Sequence, residues 1–555
     1  FNVNKSNKKE VKEKIEKVFK SYGSNIKIKK GQILIQEMIR NIKMSGVIMT
    51  QDLENSSPYY CINYDDITGS SDTVTSGKGE YANKSLYLLR GKEKRLKSNR
   101  FIKLIKAVQE LEKKLKSDRL DIEFVLTKKN KLFLLQVRPL SKKKNLESNH
   151  IKKISLKVTS LEKSLIAEFK KSNSLYGSKN ILGQMPDWNP VEMIGLHPSN
   201  LAYSLYDYLI TDRSWYESRK LMGYKKINKT KLMLKLCGKP FIDIRKSFNS
   251  FLPDKINKLL GNKIINLAMD KLREEPNLHD KIEFEIIPNC FSFDFERKFK
   301  KIYNNLNKEE LKFLKNEYKK IFIKNLNPNG KGSLAYNIKK IQELQSRQNF
   351  NNNYKHIHFS NIKSILDDCK FNGIIPFGIL ARHAFVAKEI LNSLVRLKIF
   401  KPSDIEIFEK NIRTITSEFL IDLNNLRKNK IKRKVFLLKY GHLRPGTYDI
   451  NSKSYKETSL DILINNKIKI NLGSIDKIKL KLRKHESKIN NLLRVEKIPL
   501  NYSSLVDYLA LSLSSREKAK FVFSKNISLV IDLIRNISKK YKLKLKFFDN
   551  LNIQN

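Results

Sequence analysis

Two short runs in the first quarter of the chain alternate apolar and polar residues with the period of a β-strand. In "DIEFVL" (residues 121–126), Ile122, Phe124 and Leu126 fall on one side. In "KLFLLQVRPL" (residues 131–140), Phe133, Leu135 and Val137 do the same. Successive side chains on a strand point to opposite faces, so the pair predicts a hairpin around a loop at 128–131, with Thr127 facing Leu132. In that register Glu123 stands opposite Gln136 and Asp121 opposite Arg138. Val125 and Leu134 share their side nearer the loop.

Upstream, Val11, Ile15, Val18 and Phe19 recur at helical spacing and Gly23 is a stop signal. Strand candidates follow in "QILIQEMI", "GVIMTQD", "YYCINYDD", "SDTVTSG" and "SLYLLRG", separated by Gly, Ser, Asp and Asn. Phe101, Leu104, Ile105, Val108, Leu111 and Leu115 then mark one face of a helix. Strands, a helix and a closing hairpin predict an α/β unit over residues 1–142, an antiparallel sheet covered by helices. The charged stretch "SKKKNLESNHIKK" reads as a linker, taken as 143–160. Residues 161–555 read as a mainly α-helical region, open to division into two subdomains. Helical spacing recurs in "FKKIYNNLNKEELKFLKNEYKKIF", "PFGILARHAFVAKEILNSLVRL" and "NISLVIDLIRNISKKY", and "NFNNNYKH" reads as a polar loop.

Composition adds charge to this picture. The 555 residues carry a formal net charge of +55, with 40% hydrophobic residues. That hydrophobic content belongs to a folded chain. The charge suits a polyanion such as RNA. The lysines are spread along the chain and far outnumber arginine, which is the residue preferred for bidentate phosphate and base contacts. Compositional drift is therefore favoured, and nucleic acid is not the favoured partner. No apolar run reaches the roughly 18 residues that span a bilayer, and no cleavable leader pattern opens the chain, so no membrane partner is expected. Cys61, Cys237, Cys290 and Cys369 are scattered, as suits reduced thiols of a cytoplasmic protein. The sequence opens on Phe1 inside a helical pattern and reads as part of a longer chain.

The polar side of the hairpin brings in chemistry. A carboxylate beside an amide oxygen can hold Mg2+, which takes hard oxygen ligands and keeps several waters. An arginine one pleat along can hold a phosphate oxygen. The plainer reading is an exposed hairpin face with a surface ion pair worth about 0–1 kcal/mol.

Taken in order, "ILIQEMI", "SGVIMTQD", "INYDD", "DTVTSG", "DIEFVL" and "KLFLLQVRPL" resemble the second half of the ATP-binding domain of the phosphoenolpyruvate synthase and pyruvate phosphate dikinase family. That domain is an ATP-grasp fold shared with rifampin phosphotransferase, and the likeness covers about the first quarter of the chain. The resemblance implies ATP and Mg2+ as cofactors. Gln36 would lie at the adenine hinge, with the backbone of Glu37 and Met38 bonding the base. Glu123 and Gln136 would ligate the magnesium, and Arg138 would act catalytically on the transferred phosphoryl group. Later stretches, "GQMPDWNPVEMIG", "PFGILARHAFVAKEIL" and "YGHLRPGTYDI", resemble the central region of a related branch. They imply that His442, Arg444 and Asp449 face a small-molecule acceptor, although a histidine at such a junction also serves backbone groups.

Asp187, Trp188, Asn189 and Glu192 form a polar-aromatic cluster, and Pro186 and Pro190 mark a rigid loop there. Arg382 and His383 lie on an otherwise apolar helix and read more readily as a packed pair than as catalysts. The family also has a first ATP-grasp lobe and a carrier-histidine domain with a G-G-x-x-S-H segment. No histidine here lies in such a segment, and His356 and His358 sit in "YKHIHFS". The expected activity is thus that of an ATP-dependent phosphotransferase completed by those two pieces. The alternatives are a basic, non-catalytic RNA- or polyanion-binding protein and a nucleotide-sensing relative without chemistry.

Overall fold

The computed structural model describes residues 7–21, 33, 35, 37, 39–53, 56–68, 84–140, 148–170, 174–227, 230–350, 361–458 and 473–553. The chain divides into two compact units, 1–170 and 171–555.

The first unit is built on a five-stranded antiparallel sheet with strand order β3-β2-β1-β4-β5. Its strands are β1 (Ile42–Met49), β2 (Tyr59–Asp65), β3 (Lys84–Leu89), β4 (Leu120–Thr127) and β5 (Leu132–Pro139). Helix α1 (Lys8–Ser21) precedes it, and α2 (Asn99–Leu115) covers one face. Phe101, Leu104, Ile105 and Val108 of α2 are buried with Met44, Ile48, Ile62, Ile122 and Phe124 in one core. Each such apolar side chain contributes about 1.5–3 kcal/mol when fully buried. The central strand carries Gly46, where an added Cβ would lie 2.2 Å from the Asn63 carbonyl oxygen. The β1–β2 pairing therefore requires glycine at that point. The strand expected at 32–39 falls largely outside the described residues, as does "SDTVTSG".

Two expectations change. Glu123 pairs with Gln136, Ile122 with Val137 and Asp121 with Arg138, but the register shifts between Glu123 and Phe124. Beyond that bulge Phe124 faces Leu134, Val125 faces Phe133 and Leu126 faces Leu132. One extra residue in a strand reverses which side chains face the core. Leu132 and Leu134 pack on the core in place of Phe133 and Leu135, and Thr127 closes the loop by donating its backbone N–H to the Lys131 carbonyl at 3.0 Å.

The expected linker at 143–160 is helical from Ser148 onward, within α3 (Ser148–Lys170). Ile154, Val158, Leu161, Leu165 and Phe169 repeat at three- and four-residue spacing and are half-buried. The lysines on the other face had masked this stripe, and the compact unit extends to Lys170.

The second unit is mostly helical, with a small sheet of β6 (Leu182–Gly183), β7 (Met233–Leu236) and β8 (Lys239–Asp243) in the order β6-β8-β7. Its helices include α4 (Ser214–Met222), α5 (Leu334–Phe350), α6 (Ile375–Arg396), α7 (Arg433–Tyr440) and α8 (Tyr502–Lys540). α6 is the hub, packing against α4, α5 and α8. Ile379, Leu380, Ala387, Ile390, Leu391 and Leu394 are buried along it, while Ala381, Phe385, Lys388 and Asn392 form a half-buried stripe on its remaining side. α8 starts at a capping box in which Asn501 Oδ1 accepts the Ser504 N–H at 2.9 Å. No described helix is long and apolar enough to cross a membrane.

Candidate functional site

The sheet of the first unit has one face packed on α2 and a second face of mixed character. Across that second face Ser85, Asn63, Val47, Glu123 and Gln136 stand in one row, strand by strand. Tyr87, Cys61, Met49, Asp121 and Arg138 form the next. Glu123 and Asp121 are half-buried, whereas Gln136 and Arg138 on the edge strand are exposed. Arg138 Nη2 donates to Gln136 Oε1 at 2.7 Å, so amide and guanidinium meet on the same side of β5. Asp121 Oδ1 is buried with no hydrogen-bond partner among the described residues.

This arrangement offers oxygens to a hard cation. Glu123 supplies a carboxylate and Gln136 an amide oxygen on the facing position, with Asp121 one pleat away. Mg2+ is commonly held by one or two protein oxygens, with waters and phosphates filling its shell, so the residues present fit that ion when a polyphosphate accompanies it. Among the described residues no group of three or more His, Cys, Asp or Glu is placed to hold a metal by itself. Of the hinge residues, Gln36 and Met38 lie outside the described residues, and Glu37 is exposed and in no strand.

The residues expected at an acceptor make other contacts. His442 is 6% exposed and its Nε2 lies 3.2 Å from the Phe521 carbonyl oxygen. Its ring packs edge-on against Phe521, and burial pushes its pKa down to about 4. Arg444 donates to Asp532 and Ser528, both at 2.8 Å, tying its loop to α8. Asp449 is exposed and accepts the Asn451 N–H at 2.8 Å within a turn. Among the described residues no hydrogen bond joins these three side chains to one another. Tyr448 of the same segment lines a cavity. His356 and His358 lie outside the described residues.

That cavity gathers residues distant in sequence. Asp187 and Arg219 form a buried ion pair at 2.6 Å, and Ser247 Oγ donates to the other Asp187 oxygen at 2.7 Å. Asn189 donates to Glu192 at 3.1 Å. Arg382, 3% exposed, donates to Asn289 Oδ1 at 2.7 Å, and its guanidinium lies 4.9 Å from the Phe251 ring centroid. Its neighbour His383 points elsewhere, between the Tyr508 hydroxyl and the Gly332 carbonyl, each 2.9 Å away. Asp187, Trp188, Asn189, Glu192 and Arg382 therefore share one cavity, while His383 serves the packing of α6. Arg219, Glu283 and Lys520 also line it. No local pattern marked them, since each belongs to an ordinary helical or turn segment.

The chain matches no family model and no curated protein.

Proposed function

We propose that this chain carries half of the nucleotide site of an ATP-dependent phosphotransferase of the phosphoenolpyruvate synthase type, with an ATP-grasp first unit. The carrying observation is the shared face of Glu123, Gln136 and Arg138, two of them joined at 2.7 Å. The order of motifs along the first quarter of the chain supports the same reading. Glu123 and Gln136 would hold magnesium, which supplies charge neutralisation for the polyphosphate. Arg138 would donate to the transferred phosphoryl group and stabilise the charge that builds on it, a role of positioning and electrostatics. Gln136, whose Oε1 accepts from Arg138 at 2.7 Å, would keep that guanidinium oriented. The remaining half of the site, the carrier histidine and the group's final acceptor would come from outside the residues that carry this likeness.

The test is Glu123→Ala and Arg138→Ala in the full-length protein, with ATP turnover measured directly. Loss of a preorganised charge-stabilising group costs about 10²–10³-fold in turnover, and that loss is expected for each. Undiminished turnover in both variants would end the reading.

A further inference from the structure

We propose that the cavity between the 187–189 turn, α6 and α8 binds a small organic anion. Its carboxylate or phosphate oxygens would meet donors of Arg382, Trp188 and Tyr448, and its flat apolar body would lie along the aromatic wall. The cavity lies within the second unit alone, so its role is independent of the nucleotide reading.

The first observation is a concentration of unanswered donors. Trp188 Nε1, Arg219 Nε, Arg382 Nε, Arg382 Nη1 and the Tyr448 hydroxyl are buried without a hydrogen-bond partner among the described residues. All belong to residues lining one cavity of about 220 Å3. Buried polar groups are hydrogen-bonded in the great majority of cases, and each orphan costs about 1–3 kcal/mol. The five are enclosed within the lining of one cavity, where an entering acceptor oxygen would answer them.

The second observation is charge. Asp187 neutralises Arg219 at 2.6 Å, and Arg516 pairs with Glu517 at 2.9 Å. Arg382 is held by the Asn289 side chain and carbonyl, and no hydrogen-bonded carboxylate answers its charge among the described residues. Of the remaining acids on the lining, Glu192 accepts from Asn189 at 3.1 Å, Asp280 is exposed at the rim, and burial, reinforced by Asp187, raises Glu283 to about 7 against the pull of Arg382 and Arg219. Glu283 is thereby less ionised than a free glutamate, which leaves the charge of Arg382 incompletely answered.

The third observation is construction. Asp187, Trp188 and Asn189 are consecutive left-handed residues, with φ of 45°, 61° and 35°. Such backbone costs of order 1–3 kcal/mol per residue and clusters at ligand sites. The turn holds the Trp188 carbonyl against the Tyr206 hydroxyl and sets the indole 6.0 Å from Phe377. Gly378 leaves space for that indole, since an added Cβ would lie 3.2 Å from its rim and 2.7 Å from Ser218 Oγ. Two π-helical turns, Asp207–Thr211 and Ile282–Ile286, bring Ile210 and Glu283 to the wall. π-turns recur at functional sites. A second cavity of about 300 Å3 adjoins the first, sharing Met193, Glu517, Lys520 and Phe523 with it.

The chain has two tryptophans, Trp188 and Trp215, so Trp215→Phe leaves the cavity indole as the sole reporter. Its fluorescence, and calorimetry on the unchanged 555-residue chain, would be followed with benzoate, phenyl phosphate and benzyl alcohol. At least one anion is expected to bind saturably and about tenfold or more tighter than the neutral alcohol, the usual value of a charge-assisted hydrogen bond. Tighter benzoate assigns a carboxylate; tighter phenyl phosphate assigns a phosphate ester. Ala381→Phe, which fills the cavity, and Trp188→Phe, which removes one donor and keeps the ring, should each weaken binding. The proposal is overturned if neither anion binds at roughly 10 mM, or if the alcohol binds as tightly. It is also overturned if every folded cavity variant binds like the unchanged chain.

Discussion

The imidazoles of His383 and His442 are both held neutral by their surroundings. Burial pushes each pKa down to about 4, and nearby cations add to the effect, Arg382 for His383 and Lys525, Lys456 and Arg444 for His442. An unfolded histidine titrates near 6.5. Between about pH 6.5 and pH 4 the unfolded chain therefore binds protons that the folded chain refuses. Stability from these two residues is complete above that window and is lost as pH falls through it, by of order 3 kcal/mol each. Glu283 acts in the opposite sense. With its folded pKa raised to about 7, its contribution is complete below the ordinary glutamate range and is lost as pH rises through 7. Urea unfolding of Glu283→Gln should thus show a steeper loss of stability from about pH 6.5 to about pH 4.5 than the unchanged chain. Identical slopes would mean that Glu283 is not held protonated. The Asp187–Arg219 pair gives a second prediction. Asp187→Ala leaves a buried guanidinium uncompensated and should cost about 3–5 kcal/mol in the same measurement. A cost under about 1 kcal/mol, as for an exposed pair, would show that the two charges are not buried together.

At the scale of elements, the hairpin carries a specific lesson. Alternation alone placed Glu123 opposite Gln136 and Asp121 opposite Arg138, and the backbone pairing does the same. The bulge toward the loop was not legible, because Phe133, Leu134 and Leu135 are all apolar and either alternation buries apolar groups. Only packing against α2 selects Leu132 and Leu134. Helix α3 is the reverse case. Its stripe was present in the sequence, but the density of lysine suggested a linker. Leu156 lies in α3 and is 72% exposed, so proline there removes no core contact. Leu156→Pro should cost about 3 kcal/mol of helix stability and raise hydrogen exchange across the neighbouring turns. Unchanged exchange would argue against a helix at that point. In β1, Gly46→Val would drive a side chain into the Asn63 carbonyl. It should unfold the first unit at lower urea while leaving the transition of the second unit in place.

At the scale of the whole molecule, the net charge of +55 is not gathered into one described site. Lys298 pairs with Glu389, Lys263 with Glu310, and Lys315 and Lys319 with Glu496. These lysines answer the chain's own carboxylates, and the excess of 111 basic over 56 acidic residues is spread along the whole sequence. RNA binding measured across a salt series should accordingly be weak near physiological salt. A saturable complex whose affinity falls steeply with salt, by about 10³-fold or more between 50 and 200 mM, would instead mark many phosphate contacts and revive the polyanion reading.

What the sequence alone determined is local: the strands and their two faces, the helical stripes, and the opposition of acid to amide on the β4–β5 hairpin. These follow from repeats of two and three-to-four residues, which any short window contains. Tertiary structure decided the rest. It buried His442 against Phe521, tied Arg444 to Asp532, and turned Leu134 inward. It also drew Asp187, Arg219, Glu283, Arg382 and Tyr448 around one cavity from segments far apart in the chain. Closing such distances depends on how whole helices pack, and no periodicity within any one of them records which partner its polar residues will meet.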